Sequence, residues 1–488
     1  MDNQPNIFLI LSDQHRWSAL NCYGNSQVIS PSFDRLAAEG VRYTNCVSSS
    51  PVCCPYRATL QTGLHPHQHE VRLNQSPWLG QHFKSLADYF NKAGYETCFI
   101  GKVHWGRSLW RGTSMSNAYV PPSARMRWKH WYGMPGHAHY DARTFDDEGN
   151  VARDFDEQYQ PTVQTDLAFE KIHEFGDAPW LMQLNWGPPH TVMGKVRPEP
   201  QKLIESSRRV NREYGFGLDE SLLEDWPHTR LHALLPEHLL YDHRIMPDRY
   251  LEMYDPETLE IPPNIPEPFH RLVSYHLREY YGMITSIDDE LARIMDFLRE
   301  TGRDRDTLII YTSDHGDQIG AHCEMDKFRT KSTWYQNACR VPLMVWGPHV
   351  DVGRGEVNDT PVNSVDLLPT MLEFAGQTVE PHLSGRSFVD TFTGDCASHD
   401  REVLLSLDPW RGVYDGRYIY AIEGAEDSWE AVSLIDTAAD PYDLNNLIDD
   451  PAHAETRARL QNALERELFR TSDYGFMQRT GMKPNPGA

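Results

Sequence analysis

Short apolar runs alternate with longer amphipathic segments along much of the chain. Asn6 to Leu11 is a continuous apolar run, as in a strand covered on both faces. Ser30 and Pro31 then open a predicted helix, with Ser as N-cap and Pro at the first helical position, and Gly40 closes it. Phe83 to Ala93 reads as a second helix, stopped by Gly94, and Thr97 to Ile100 as a strand. Trp180 to Asn185 is a further buried strand. Tyr280 to Glu300 carries Met283, Ile284, Ile287, Leu291, Ile294, Met295 and Leu298 at helical spacing, with Gly302 just beyond. Thr307 to Thr312 and Leu343 to Trp346 read as strands. Strands alternating with helices predict an α/β fold: a large mixed, mostly parallel sheet flanked by helices.

Two stretches break the alternation, 106–160 and 190–270. Both are rich in Pro, Trp, Tyr and His and weakly periodic. In α/β proteins such insertions sit beyond the carboxyl ends of strands, where ligands bind; the alternative is surface elaboration. Near residue 400 the texture changes. Tyr414 to Ile422 suggests a hairpin around Asp415 and Gly416, and Leu460, Leu464 and Leu468 mark a final amphipathic helix. The expected division is therefore 1–399 and a small C-terminal α+β domain over 400–488.

Composition narrows the function classes. Of 488 residues, 70 are Asp or Glu and 46 Lys or Arg, a formal net charge of −24. That balance argues against a nucleic-acid partner, whose affinity would come from neutralising phosphates. Hydrophobic residues at 40% supply a sizeable core. No run of about 18 apolar residues predicts a membrane span. The polar N-terminus lacks a signal h-region. The expectation is a cytoplasmic protein as given, periplasmic or secreted if a leader was removed. Eight cysteines form no disulfide framework and no CxxC pair.

Four places set reactive side chains at predicted strand ends. Asp13 and Gln14 follow the first strand, two oxygen donors that suit a hard divalent cation or, more simply, cap a turn. Asp314 and His315 follow the strand Thr307–Thr312, two more potential ligands, with Gly316 permitting a sharp turn. Two such pairs point to one shared metal site. Lys102 and His104 follow the strand Thr97–Ile100, a cation and a proton carrier suited to an anionic substrate, or else an exposed loop pair. Last, Pro55 fits a helix start and Gly63 its stop, which places Cys53 at a helix N-terminus, where a thiol is acidified. Cys53 and Cys54 as a buried structural pair is the alternative.

The run Cys53-x-Pro55-x-Arg57, followed by Thr62 and Gly63, resembles the type I sulfatase signature. The resemblance extends from Pro5 through Val365–Thr370 to Asp440–Leu447. It implies the alkaline phosphatase superfamily fold, a catalytic domain over 1–399 and oxidation of Cys53 to formylglycine by a formylglycine-generating enzyme. It further implies that Asp13, Gln14, Cys53, Asp314 and His315 hold one divalent cation, calcium first and manganese as alternative. Arg57 and Lys102 would steady the hydrated aldehyde and His104 would act as base. His190 and Lys327 would contact the sulfate and leaving oxygen.

Two features depart from the commonest family pattern. Gln14 and His315 stand where Asp and Asn are frequent, and Tyr56 where Ser is. The Asp-Gln/Asp-His set resembles the phosphonate monoester hydrolase and choline-sulfatase-like branch. The implied activity is hydrolysis of a sulfated carbohydrate or other small sulfated alcohol, with phosphonate monoester or phosphodiester hydrolysis as the alternative. A catalytically silent binding protein on the same fold is the reading from another class. His65, His67 and His69 could form a zinc site, but alternate loop residues rarely converge, so a packing or substrate-loop role is expected. Trp110, Trp128, His130, Trp131, Tyr132, His137, His139 and Tyr140 could stack on sugars or form a hydrophobic mini-core.

Overall fold

The computed structural model describes residues 4–74, 76, 82–106, 118–134, 136, 139–140, 143–191, 200–220, 235–240, 244–322, 331–348, 350, 355–394 and 398–482. An eight-stranded sheet forms the centre. Its strands are β1 (Asn6–Asp13), β2 (Val41–Tyr43), β3 (Glu96–Lys102), β4 (His130–Met134), β5 (Trp180–Pro189), β6 (Thr307–Ser313), β7 (Leu343–Trp346) and β8 (Glu356–Asn358). The order across the sheet is β8-β2-β7-β6-β1-β5-β3-β4. β1 pairs in parallel with β5 and β6, and β3 with β4 and β5. Only β7 runs against its neighbours. The carboxyl ends of β1, β3, β5 and β6 therefore open on one edge.

Alternation within each strand divides the core into two layers. Phe8, Ile10, Ile309, Tyr311, Met182 and Leu184 face one side, packed by helices α1 (Pro31–Glu39), α4 (Gln160–Phe175) and α5 (His270–Glu300). Ile7, Leu9, Leu11, Leu308 and Ile310 face the other. There lie α2 (Cys53–Thr62), α3 (Leu86–Lys92) and α6 (Leu367–Phe374). Continuous apolar runs are what burial on both faces requires.

Several elements differ from expectation for local reasons. α2 begins at Cys53, two residues before Pro55, which sits inside the first turn where no N–H is needed. α3 starts at Leu86 because the Ser85 side chain accepts from the Asp88 N–H and caps it there. α5 extends back to His270. Its first turns carry His276 and Glu279, buried although polar, which hid the apolar stripe. The 106–160 stretch contributes β4 to the sheet edge. Trp131 stacks on Phe99 at 4.7 Å and Trp128 meets the same ring at 5.6 Å, so these aromatics form a mini-core. Trp110 and His137 lie outside the described residues.

The last ninety residues form an antiparallel sheet of β9 (Val403–Leu407), β10 (Trp410–Tyr414), β11 (Tyr418–Ala425) and β12 (Ser428–Asp436). Helix α7 (Ala454–Arg470) buries Leu460, Leu464 and Leu468 against one face. From the other face Leu405, Leu407 and Trp410 pack on Val47, Val52 and Cys339, directly behind the start of α2. Among the described residues, no helix is long and apolar enough to cross a membrane.

Candidate active site

Four strand ends and one helix start converge. Asp13 ends β1, Lys102 ends β3, His190 follows β5, and Asp314 and His315 follow β6. Cys53 opens α2. Asp13, Cys53, Arg57, Asp314 and His315 are each fully buried. One ligand atom from each of Asp13, Cys53, Asp314 and His315 lies within 4.8 Å of the others.

Arg57 organises the two carboxylates. Its Nη2 donates to Asp13 Oδ2 and to Asp314 Oδ2, each at 2.9 Å, and its Nε to Asp314 Oδ2 at 3.1 Å. Lys102 Nζ also pairs with Asp13 Oδ2. The second oxygens are left facing inward. Asp314 Oδ1 lies 3.5 Å and Asp13 Oδ1 3.8 Å from His315 Nε2. His315 Nδ1 donates to the Gly316 carbonyl at 2.9 Å, which turns Nε2 inward, 3.1 Å from Cys53 Sγ, as the ring nitrogen able to ligate. Gln14 takes a positive φ of 66°. Its amide nitrogen side bonds Asp317, so Oε1 turns inward toward Lys331. Three oxygens and one imidazole nitrogen around one point fit a divalent cation. Burial and the facing Asp13 push the Asp314 carboxyl up, the strain a bound cation would relieve.

Gly316 serves close approach rather than a turn. A Cβ there would lie 2.0 Å from the Asn337 carbonyl oxygen. Gly101 has φ +99° and would place a Cβ 2.1 Å from the Asn185 oxygen.

Around Cys53 the charge is positive. Lys331 Nζ donates to Cys53 Sγ at 3.2 Å and to Gln14 Oε1 at 3.1 Å, and His190 Nε2 accepts from it at 3.1 Å. Burial and Asp13 oppose ionisation of Cys53, but Lys102, Lys331 and His315 together hold its thiol well below the ordinary value. Burial and Lys102 push the His104 imidazole down to about 4. Burial and Lys331 likewise hold His190 down.

The predicted residues Asp13, Gln14, Cys53, Arg57, Lys102, His104, His190, Asp314 and His315 all meet here. Lys327 lies outside the described residues. Lys331 was not anticipated; its neighbours Thr330 and Ser332 carry no pattern that marks it. The three histidines of 65–69 do not converge on a metal. His65 and His67 stack at 5.6 Å, and His67 bonds the Thr471 carbonyl. His69 bonds Thr59 and Val71.

Comparison with known proteins adds to this geometry. The sulfatase family model matches residues 5–377, and the model of the C-terminal region of N-sulphoglucosamine sulphohydrolase matches 324–469. An ulvan-active sulfatase of Formosa agariphila is 26% identical over 483 residues, spanning 96% of this chain and 83% of that protein. An N-acetylglucosamine-6-O-sulfatase of Bacteroides thetaiotaomicron is 24% identical over 519 residues, spanning 95% and 86%. The yidJ crystal structure from Bacteroides fragilis superposes with TM-score 0.76 at 23% identity, over 98% of this chain and 97% of that one.

Proposed function

The chain belongs to the sulfatase family and is a sulfuric ester hydrolase, and from that premise we propose that it removes sulfate from a sulfated carbohydrate through residue 53. One observation carries the reading: a buried cysteine at a helix start lies within 4.8 Å of two carboxylates and an imidazole. Sugar is the preferred alcohol because relatives such as the N-acetylglucosamine-6-O-sulfatase carry that activity in their names.

Family membership brings two groups to the site. Formylglycine made from Cys53 would supply a hydroxyl nucleophile when hydrated, and a divalent cation held by Asp13, Gln14, Asp314 and His315 would act as Lewis acid toward the sulfate. Calcium is our first choice of ion, with manganese next because of the imidazole donor.

The chain's own residues divide the remaining work. Arg57 locks both carboxylates, so the oxygens that face the substrate do not reorganise during reaction. Lys102 and Lys331 offset negative charge developing on the sulfuryl oxygens. His190 Nδ1 donates to the Thr191 carbonyl, so its Nε2 holds no proton and accepts from Lys331. The proton destined for the leaving oxygen therefore resides on Lys331, which His190 Nε2 holds in place. His104 is neutral at neutral pH, the state a base requires to take the proton whose loss releases sulfate.

The test is a side-by-side assay of the purified enzyme on an aryl sulfate, a sulfated monosaccharide panel, a phosphate diester and a phosphonate monoester. Higher kcat/KM on the sulfate esters is expected. Preference for the phosphorus esters would replace this reading with the phosphonate hydrolase one. Peptide mass spectrometry should find residue 53 as formylglycine.

A further inference from the structure

A second polar groove lies next to the metal-ligating strand end and shares none of its residues with the site above. It encloses about 440 Å3, the size of a small-ligand pocket. Arg16, Trp17, Tyr23, Gln27, Asn337 and Tyr442 are among the residues lining it.

Arg16 is the unusual member. The residue is only 3% exposed, yet its guanidinium makes no hydrogen bond or ion pair with a described residue, and Nε is buried without a partner. Its one charge contact is the Tyr280 ring, 5.7 Å away. A buried, unpaired guanidinium is costly, and such charges are normally paired. The chain has 70 carboxylates to choose from; of the other buried arginines, Arg57, Arg125, Arg401 and Arg411 hold Asp partners, and Arg340 donates to Gln336 and the Thr44 carbonyl. The planar fork of arginine matches sulfate and carboxylate oxygens in a bidentate manner.

The surroundings suit a sugar. Trp17 is held flat by the Arg340 guanidinium, stacked 4.0 Å from its ring. Asn337 offers an amide that matches hydroxyls, and Tyr23 and Tyr442 offer aromatic walls. Arg16 stands three residues beyond Asp13, at most about 10 Å along the chain. Tyr280 ties the two places together: its hydroxyl bonds the Gln14 carbonyl and accepts from the Arg16 N–H at 2.9 Å.

We propose that Arg16 binds an oxyanion substituent, a sulfate or carboxylate, on the part of the sugar substrate remote from the ester being cut. The inference rests on the sulfated-carbohydrate reading, and it makes the preferred substrate one that carries at least two anionic groups.

Binding separates this proposal from turnover. Full-length protein with Cys53→Ala is titrated calorimetrically with a panel of sulfated disaccharides, each in mono- and disulfated form. At least one disulfated member should bind ten-fold more tightly than its monosulfated partner, about 1.4 kcal/mol. Arg16→Gln in the same background should erase that preference, and Arg16→Lys should restore part of it. Equal affinity across every pair in the Cys53→Ala protein alone overturns the proposal, whether or not the Arg16 variants fold. A preference that survives Arg16→Gln also overturns it. Arg16-dependent binding of inorganic sulfate as tight as that of the disulfated sugar would assign the groove to free sulfate instead. Aryl sulfate turnover by the unmodified enzyme tests the underlying activity separately.

Discussion

Arg57 is the side chain on which the proposed metal pocket depends. It reaches Asp13 and Asp314 at once, from a fully buried position. Arg57→Ala strands the buried Asp314 carboxylate and leaves Asp13 to Lys102 alone, a loss of about 3–5 kcal/mol. Activity should fall at least as steeply, and urea denaturation alongside aryl sulfate assays would measure both. Arg57→Lys keeps the charge but loses the fork, so more stability than activity should return. Lys331→Ala removes a cation 3.2 Å from Cys53, and kcat should drop by about 10²–10³ with the fold intact by circular dichroism. Asp13, Arg57 and Asp314 were legible in the sequence because each sits in a compact motif beside a strand or helix end. Lys331 was not, because its meaning is entirely long-range: it lies 278 residues from Cys53 and 141 from His190. His69 shows the limit from the other direction. Three spaced histidines suggest a metal, but Val71 N–H donates to His69 Nδ1 at 3.1 Å, which fills the lone pair a metal or proton would use. Burial therefore pushes His69 down to about 3. The unfolded chain, with its histidine near 6.5, binds the proton that the native state refuses, so stability falls as pH drops below 6.5 and continues to fall toward 3. Between pH 7 and pH 5 this residue alone should cost about 2 kcal/mol. Urea midpoints at the two pH values check it, and His69→Gln should flatten the dependence.

At the scale of elements, parallel strands deliver the site. Because β1, β3, β5 and β6 run in one direction, their terminal residues Asp13, Lys102, Pro189 and Ser313 emerge on one edge, and α2 presents Cys53 to it. These strands were readable since burial on both faces demands unbroken apolar runs. The short strands β2, β4 and β8 were not: they are five residues or fewer, and their identity comes from a neighbour's hydrogen bonds rather than from a pattern. The joint between β3 and β5 is closely packed. Gly101 lets the Asn185 backbone approach, and the Asn185 side chain and Arg57 both donate to the Lys102 carbonyl at 2.9 Å. Gly101→Ala forces a Cβ into the Asn185 oxygen at a positive φ, with an expected loss of about 3 kcal/mol. Because the joint carries Lys102 and braces Arg57, activity should fall even at temperatures where the variant remains folded. Thermal denaturation and kcat/KM measured on the same preparation would show this, and a variant of normal activity would contradict it.

At the scale of the molecule, the C-terminal sheet and the central layers share an interior, since Leu405 and Trp410 pack against Val52 beside Cys53. One calorimetric unfolding transition is therefore expected; a separate early transition for the last ninety residues would indicate an independent unit. Charge acts at the same scale. A net charge of −24 looks hostile to a sulfated substrate, yet Arg57, Lys102, Lys331 and the donors for a divalent cation are concentrated in one pocket, and local potential governs binding there. The surface excess still acts on whatever extends beyond the pocket. A short sulfated sugar places its few charges within reach of Lys331 and Arg16, whereas a long sulfated polymer must also lie along the acidic exterior. At about 0.01 M salt that repulsion reaches about 30 Å, and at 0.15 M about 8 Å. Raising the ionic strength over this range should increase kcat/KM for long chains relative to disaccharides, since screening removes the long-range repulsion and leaves the buried contacts nearly unchanged. Chain-length series at two salt concentrations provide the measurement, and faster turnover of long polymer at low salt would show that the exterior carries a basic path for the chain.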